Sequence, residues 1–198
     1  MSINFRSLEQ WVPKQSRVLD LGCGEGRLLQ YLIKQRQARA LGVEIDHENM
    51  ARCVENGVPV VEQDIDQGLP NFSDNSFDVV LLTQTLQAVR RPDYVIEEML
   101  RVGKECIVTF PNFGHWSARL SLLARGRMPV SKFMPYEWFD TPNIHFCTVR
   151  DFEVFCEQRN IQVINRFFQS GGDVAKSAIV NWQPNWRAVN AIYHVTRL

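Results

Sequence analysis

Arg17-Val18-Leu19-Asp20-Leu21-Gly22-Cys23-Gly24-Glu25-Gly26 decides the fold. An apolar run with strand character meets glycines at three alternate positions, and a helical pattern (Leu28, Leu29, Leu32, Ile33) follows at once. Glycine lacks Cβ, so the chain can turn sharply and bring its backbone close to a ligand. The helix that follows offers unpaired N–H groups and the positive end of its dipole. The turn reads as a cradle for a nucleotide-like ligand. Its spacing is G-x-G-x-G, one residue short of the G-x-G-x-x-G of dinucleotide binders, which argues against an NAD-dependent oxidoreductase.

Outward from the turn, strand and helix signals alternate. The pattern predicts a short amphipathic helix over residues 4–12 (Phe5, Leu8, Trp11, Val12), ended by Pro13, and a first strand at Val18–Leu21. A helix over Glu25–Arg36 follows, then a buried strand Ala40–Ile45. Asp46 suits the N-cap of a helix reaching Asn56, which Gly57 stops. Strand three is Val58–Gln63, and the polar link Gly68–Ser76 leads into strand four, Phe77–Leu82. Pro92 opens a helix to Val102, and Cys106–Phe110 is strand five. Continuous apolar strands separated by helices imply a parallel sheet covered on both faces. The pattern then breaks into a long aromatic-rich insertion at about 112–148, with one helix near Trp116–Arg125. A helix over 149–159, a strand Ile161–Phe168, a loop 169–187 and a last strand Ala191–Thr196 close the chain as an antiparallel pair.

The 198 residues suit a single domain spanning 1–198 with a sizeable core. Apolar residues make up 45% and charged residues 22%, the composition of a soluble globular protein. Lys plus Arg balance Asp plus Glu at 22 each, so no field favours nucleic acid or an anionic membrane. A homo-oligomer is compatible with this balance. Five cysteines without a C-x-x-C pair, and no secretory or membrane-spanning apolar run, lead to the expectation of a cytoplasmic protein with reduced thiols. His47 and His194 have no partner at ligand spacing, so no metal is expected.

Chemistry-bearing residues fall at successive strand ends, the edge where open α/β sheets place ligands. Asp20 stands just before Gly22, Gly24 and Gly26, where it would serve the amino-acid end of a ligand. Glu44, 18 residues beyond Gly26, can accept both ribose hydroxyls, with Ile45 beside it. Asp64 can accept from an adenine amino group while Ile65 packs on the ring. Thr83–Thr85, including Gln84, would line the far part of the pocket. Each has a plain alternative, since the glycines can form an ordinary βα turn, Glu44 can cap a strand end and Asp64 can be a turn aspartate. Together they favour S-adenosylmethionine (SAM), or its product S-adenosylhomocysteine, as the ligand.

The ordered set resembles a class I SAM-dependent methyltransferase, and that resemblance implies a Rossmann-like α/β fold. Its sheet is seven-stranded and mostly parallel, with an antiparallel last strand and helices on both faces. Leu82-Thr83-Gln84-Thr85-Leu86-Gln87-Ala88-Val89-Arg90-Arg91-Pro92 more specifically resembles the MetW family of methionine-biosynthesis proteins. So do Phe110-Pro111-Asn112-Phe113-Gly114-His115-Trp116, Gly126-Arg127-Met128-Pro129-Val130-Ser131 and Trp138-Phe139-Asp140-Thr141-Pro142-Asn143-Ile144-His145. The resemblance implies a SAM-binding accessory or regulatory partner of a homoserine O-acyltransferase (MetX-like). A SAM-dependent methyltransferase acting on a small acid or alcohol is the alternative.

Methyl transfer from a sulfonium needs mainly alignment, with a general base for hydroxyl or amine acceptors. His115, His145, Asp140 and Tyr136 are the candidates, and His115, directly after strand five, is expected nearest the ligand. A histidine between Gly114 and Trp116 also suits a packed loop residue. About a dozen residues precede strand one, enough for one short helix, so an acceptor site is expected to be open or completed by something else. The aromatics Phe113, Trp116, Phe133, Tyr136, Trp138, Phe139 and Phe146, with Arg119, Arg125 and Arg127, suit either a protein interface or a cover over the sheet's edge. Trp182, Trp186 and Tyr193 suit core packing or a second contact surface.

Overall fold

The computed structural model describes residues 5–131, 135–171 and 178–198. Residue 4 of the expected first helix, Phe133 and residues 172–177 of the loop 169–187 lie outside the described residues. In chain order the elements are α1 (Phe5–Glu9), β1 (Arg17–Leu21), α2 (Arg27–Arg36), β2 (Arg39–Glu44), α3 (His47–Glu55), β3 (Val60–Glu62) and a 3-10 turn at Ile65–Gln67. There follow β4 (Phe77–Thr83), α4 (Pro92–Val102), β5 (Gly103–Pro111), α5 (Trp116–Arg125), α6 (Val149–Gln158), β6 (Ile161–Gln169), α7 (Pro184–Arg187) and β7 (Asn190–Arg197). The strands form one sheet in the order β3-β2-β1-β4-β5-β7-β6. Every pair is parallel except those of β7, which runs antiparallel to both β5 and β6. The expected seven-stranded sheet with an antiparallel last strand is the sheet observed.

Side-chain alternation along the strands divides the core into two layers. Val18, Val79, Leu81, Ile107 and Ile192 face α1–α3, meeting Leu8, Leu28, Leu29, Leu32 and Cys53. Leu19, Val80, Leu82, Val108 and Phe110 face the other way, against Val95, Ile96 and Met99 of α4 and Phe152 and Cys156 of α6. Tyr193 is fully buried in that second layer and stacks on Phe110 at 5.9 Å. Trp182 and Trp186, paired with it in the sequence reading, are exposed.

Several boundaries differ from the sequence reading, each for a local reason. Helix α2 starts at Arg27, not Glu25, because Gly26 sits in the left-handed region and acts as the cap. Strand β2 ends at Glu44, leaving Ile45 outside the ladder. β3 holds only three residues, as an edge strand beside Pro59 can be. β5 begins three residues early, Gly103 pairing with Phe77 directly after α4. The expected caps are found: Asp46 accepts the Asn49 N–H at 2.9 Å, and Pro92 occupies the first turn of α4. Thr148 and Asp151 form a capping box on α6.

The segment after β5 is tied down by one buried side chain. Asn112 donates through Nδ2 to the carbonyls of Ala188 (2.8 Å) and Asn185 (3.2 Å). Its Oδ1 accepts from the N–H groups of Gly114 (3.0 Å) and Val149 (3.2 Å). The end of β5, the start of α6 and the α7 turn thus converge on one amide. Replacing Asn112 by Ala leaves these buried backbone groups unpaired, so N112A should lose about 2–4 kcal/mol of stability. The melting midpoint is then expected to fall by roughly 4–12 °C, read by circular dichroism.

Candidate functional site

The chain passes from β1 outward to β2 on one side and to β4 on the other, so the carboxyl ends of β1 and β4 flank a crevice. The β1–α2 turn closes over it. Gly22 and Cys23 donate their N–H groups to the Val43 carbonyl at 2.8 and 3.1 Å. Gly22, Gly24 and Gly26 all have positive φ (71°, 54° and 73°), the region that disfavours side chains. A Cβ on Gly22 would also lie 2.7 Å from the Thr85 side chain, whereas one on Gly24 would meet no heavy atom within 4 Å. The turn therefore packs tightly against the β4–α4 segment at one glycine and opens outward at the next.

Two carboxylates sit beneath this turn in opposite states. Glu44 accepts the Gly24 N–H on Oε2 (2.8 Å) and the Ile45 and Asp46 N–H groups on Oε1 (2.8 and 3.0 Å). It thereby ties the glycine turn to the β2–α3 turn. Asp20 is 1% exposed, and neither of its carboxyl oxygens has a hydrogen-bond partner among the described residues. Burial first, and the charge of Glu44 second, push the Asp20 carboxyl from 3.8 up to about 8. Below the turn, the Cys53 thiol donates to the Gly24 carbonyl at 3.0 Å and lies 3.7 Å from the Cys23 sulfur. Burial raises both thiols, the condition of packed rather than reactive cysteines.

A cleft of about 280 Å³ opens beside the turn. Of the expected ligand-binding residues, the structure brings Gly22, Glu44, Ile45, Asp64, Ile65 and Thr85 to its wall. Ile45 is 59% exposed there, an apolar side chain left standing at the rim. Asp64 also performs the turn role, accepting the Asp66 N–H at 3.0 Å as cap of the 3-10 turn. Asp20, Gly24, Gly26 and Gln84 are not part of that wall; the first three belong to the turn and the strand beneath it. Gln84 holds a left-handed φ of 57° just past β4, with its N–H bonded to the Thr109 hydroxyl at 3.0 Å.

Beyond Thr85, the far wall was not anticipated from the sequence. Ala88, Val89 and Arg90 come from the β4–α4 connection, with Gln63 and Asp66 opposite. Asp66 accepts the N–H groups of Arg90 (2.8 Å) and Arg91 (3.0 Å), which holds that connection across the crevice. A short polar loop carries no periodicity that would reveal such a bridge.

His115 is not on the cleft wall. Its Nδ1 caps α5 through Ser117, and the ring lines a separate surface hollow with Trp182 and Trp186. Burial lowers its pKa. His145 lies closer to the far wall: its Nε2 is 3.2 Å from the Arg90 carbonyl, and its N–H donates to the Gln87 carbonyl at 3.0 Å. Tyr136 and Asp140 are exposed, and Tyr136 meets Phe113 and Phe146 around a smaller hollow. Within the aromatic segment Phe113 and Phe146 pack on each other at 4.7 Å, whereas Trp138 and Phe139 are 72% and 71% exposed. Among the described residues no group of His, Cys, Asp and Glu is arranged to hold a metal ion, and no helix is long and apolar enough to cross a membrane.

Comparison with known proteins joins this geometry to a family. The family described as methionine biosynthesis protein MetW matches residues 3–195. The chain belongs to the MetW family. A relative, the bifunctional methionine biosynthesis protein MetXA/MetW of Rhodopirellula baltica, is 34% identical over 177 residues. That alignment covers 85% of this chain but only 28% of the relative's length. Among solved structures, a SAM-dependent methyltransferase from Thermotoga maritima superposes with a TM-score of 0.72 at 15% identity, over 98% of this chain and 88% of that one. The [4+2]-cyclase SpnF superposes with a TM-score of 0.65 at 17% identity, over 96% and 80%. This MetW-family chain therefore has the class I methyltransferase fold, a fold shared by proteins named for different reactions.

The Asp20 carboxyl generates a signed pH prediction. A carboxyl whose folded pKa is raised from 3.8 to about 8 favours folding in its protonated form. Its contribution is fully present below the unfolded pKa and is lost as pH rises from about 4 to about 8. Asp20→Asn removes that loss, so the ligand-free variant should melt above the parent at pH 8.5 and level with it at pH 4. Thermal melts across this range check the sign.

Proposed function

We propose that this chain binds SAM and serves as an accessory, regulatory partner of a homoserine O-acyltransferase in methionine biosynthesis. The observation that carries the partner is the Rhodopirellula baltica relative, in which MetXA and MetW names are joined in one polypeptide. The observation that supports the ligand is Asp20, a buried carboxyl without a partner among the described residues. A cationic group at the amino-acid end of SAM would satisfy it and draw its pKa back down.

The remaining residues fit that ligand in order. Glu44 would receive the ribose hydroxyls on acceptor positions left over from its backbone bonds. Ile45 at the rim and Ile65 in the wall would hold the two faces of adenine, giving the exposed Ile45 an apolar partner. Asp64 would accept from the adenine amino group. SAM bound there supplies an activated methyl sulfonium. This chain's own residues supply position and charge.

Regulation fits the cleft better than turnover does. Its carboxylates Glu44, Asp64 and Asp66 already accept backbone N–H groups, and neither His115 nor Tyr136 stands on its wall. SAM lies downstream of methionine, so a SAM site coupled to an acyltransferase gives feedback by differential binding. The exposed Trp138, Phe139, Leu123 and Trp182 support a protein-contact role for the region after β5. Methyl transfer to a small acid or alcohol is the second reading, favoured by how little beyond alignment that chemistry requires.

Co-expression with a homoserine O-acyltransferase, followed by acylation assays with and without SAM, tests the proposal. The expected result is a stable complex whose acylation rate responds to SAM. Glu44→Ala should weaken SAM binding at least ~10-fold, about 1.4 kcal/mol, by calorimetry, and abolish the SAM response while the complex persists. Purified proteins that neither associate nor alter acylation would overturn the partner role. Transfer of label from methyl-labelled SAM to a small-molecule acceptor would establish the second reading.

A further inference from the structure

Helix α5 carries an apolar stripe turned away from the body of the protein. Trp116, Leu120 and Leu123 stand at i, i+4 and i+7, positions that the helical repeat gathers on one face. Ala118, the buried residue of this helix, lies on the opposite face and seats it on the rest of the chain. Leu123 is 85% exposed, with Trp116 and Leu120 exposed beside it. A helix of ten residues is marginal on propensity alone, and helices in proteins are held mainly by packing of an apolar face. On α5 most of that face is open to solvent.

The stripe is continuous with the α7 turn. Trp116 lines two hollows, one of about 360 Å³ with Leu120 and Val130, the other of about 500 Å³ with Trp182 and Trp186. The Arg187 guanidinium stacks over the Trp182 ring at 5.7 Å, and that of Arg119 over the Trp186 ring at 5.3 Å. The stacking orders both indoles yet leaves them exposed. Tryptophan and arginine carry much of the binding energy at protein interfaces, and rings already held in place lose little freedom on docking.

The charge around the stripe has one sign. Segments 112–131 and 178–190 hold four arginines (Arg119, Arg125, Arg127 and Arg187) and neither Asp nor Glu, in a chain whose net charge is zero. Among the described residues, no carboxylate lines either hollow. A second copy docked on this face about a two-fold axis would set these arginines against themselves, and like charges across an interface cost affinity. A surface that is apolar at its centre and acidic at its rim complements the face in both respects.

We propose that the face formed by α5 and α7 docks the homoserine O-acyltransferase, through a patch on that enzyme with an apolar centre and carboxylates at its rim. This docking face rests on the partner reading above. The test is calorimetric titration of the full chain with the acyltransferase of the same organism, each variant first checked for folding by circular dichroism. Leu123→Glu should weaken the complex at least ~30-fold, and Arg125→Glu combined with Arg127→Glu at least ~10-fold. Val54→Glu, at an exposed apolar position on α3, should bind within about 2-fold of the parent. The parent's affinity should fall at least ~5-fold between about 50 and about 300 mM NaCl, a dependence that the charge-reversed variant loses. Unchanged affinity in folded Leu123→Glu and in the charge-reversed variant, or equal weakening by Val54→Glu, would overturn the face and leave the partner reading standing. Failure of the parent proteins to associate would overturn both. Self-association of the parent, or its cosedimentation with phosphatidylglycerol vesicles, abolished by Leu123→Glu while acyltransferase affinity is kept, would overturn the face as the acyltransferase dock and assign it to a second copy or a membrane.

Discussion

The Glu44 carboxylate is the constraint on which the candidate site depends. It sits at the end of β2 and accepts N–H groups from the glycine turn and from the β2–α3 turn at once. Buried charge is tolerated when hydrogen bonds replace its hydration, and three backbone donors do that here. Asp20, the neighbouring carboxyl on β1, has no such donors among the described residues and is held in a mainly protonated condition near neutral pH. The pair divides the work: one carboxylate shapes the cradle, and the other stores an unsatisfied acceptor within it.

The sheet makes this division possible. Parallel pairing of β1 with β2 in register Asp20↔Gly42 and Leu21↔Val43 sets both strand ends at one edge. The opposite departures of β2 and β4 from β1 open the crevice that the glycine turn overhangs. Gly22 lets Thr85 approach from β4, and Asp66 holds Arg90 and Arg91 on the far side, so the cleft is walled by backbone-anchored segments. Rigid support of this kind suits recognition of a ligand.

Family membership and fold pull apart at this site. The MetW family places the chain in methionine biosynthesis, while the fold is shared with methyltransferases and with a cyclase. Function therefore rests on the local chemistry. That chemistry is rich in hydrogen-bond acceptors, and its polar groups are largely committed to holding backbone in place.

Sequence alone determined the sheet's class, the strand ends carrying Asp20, Glu44 and Asp64, and the starts of the helices at Asp46 and Pro92. These features are local: period-two and helical patterning, glycine freedom and capping are written in neighbouring residues. Element edges were less legible where a cap or a partner strand sets them, as at Gly26 and in the three-residue β3. Tertiary structure alone decided that Glu44 would be bonded and Asp20 left without a partner among the described residues, since both are acidic residues at strand ends and differ only in which N–H groups the fold brings near. It also set His115 as a cap on α5 away from the cleft, and built the far wall from a connection whose hydrogen bonds span more than twenty residues. Hydrogen bonds between distant backbone groups leave no trace in local pattern, and only the folded chain reveals them.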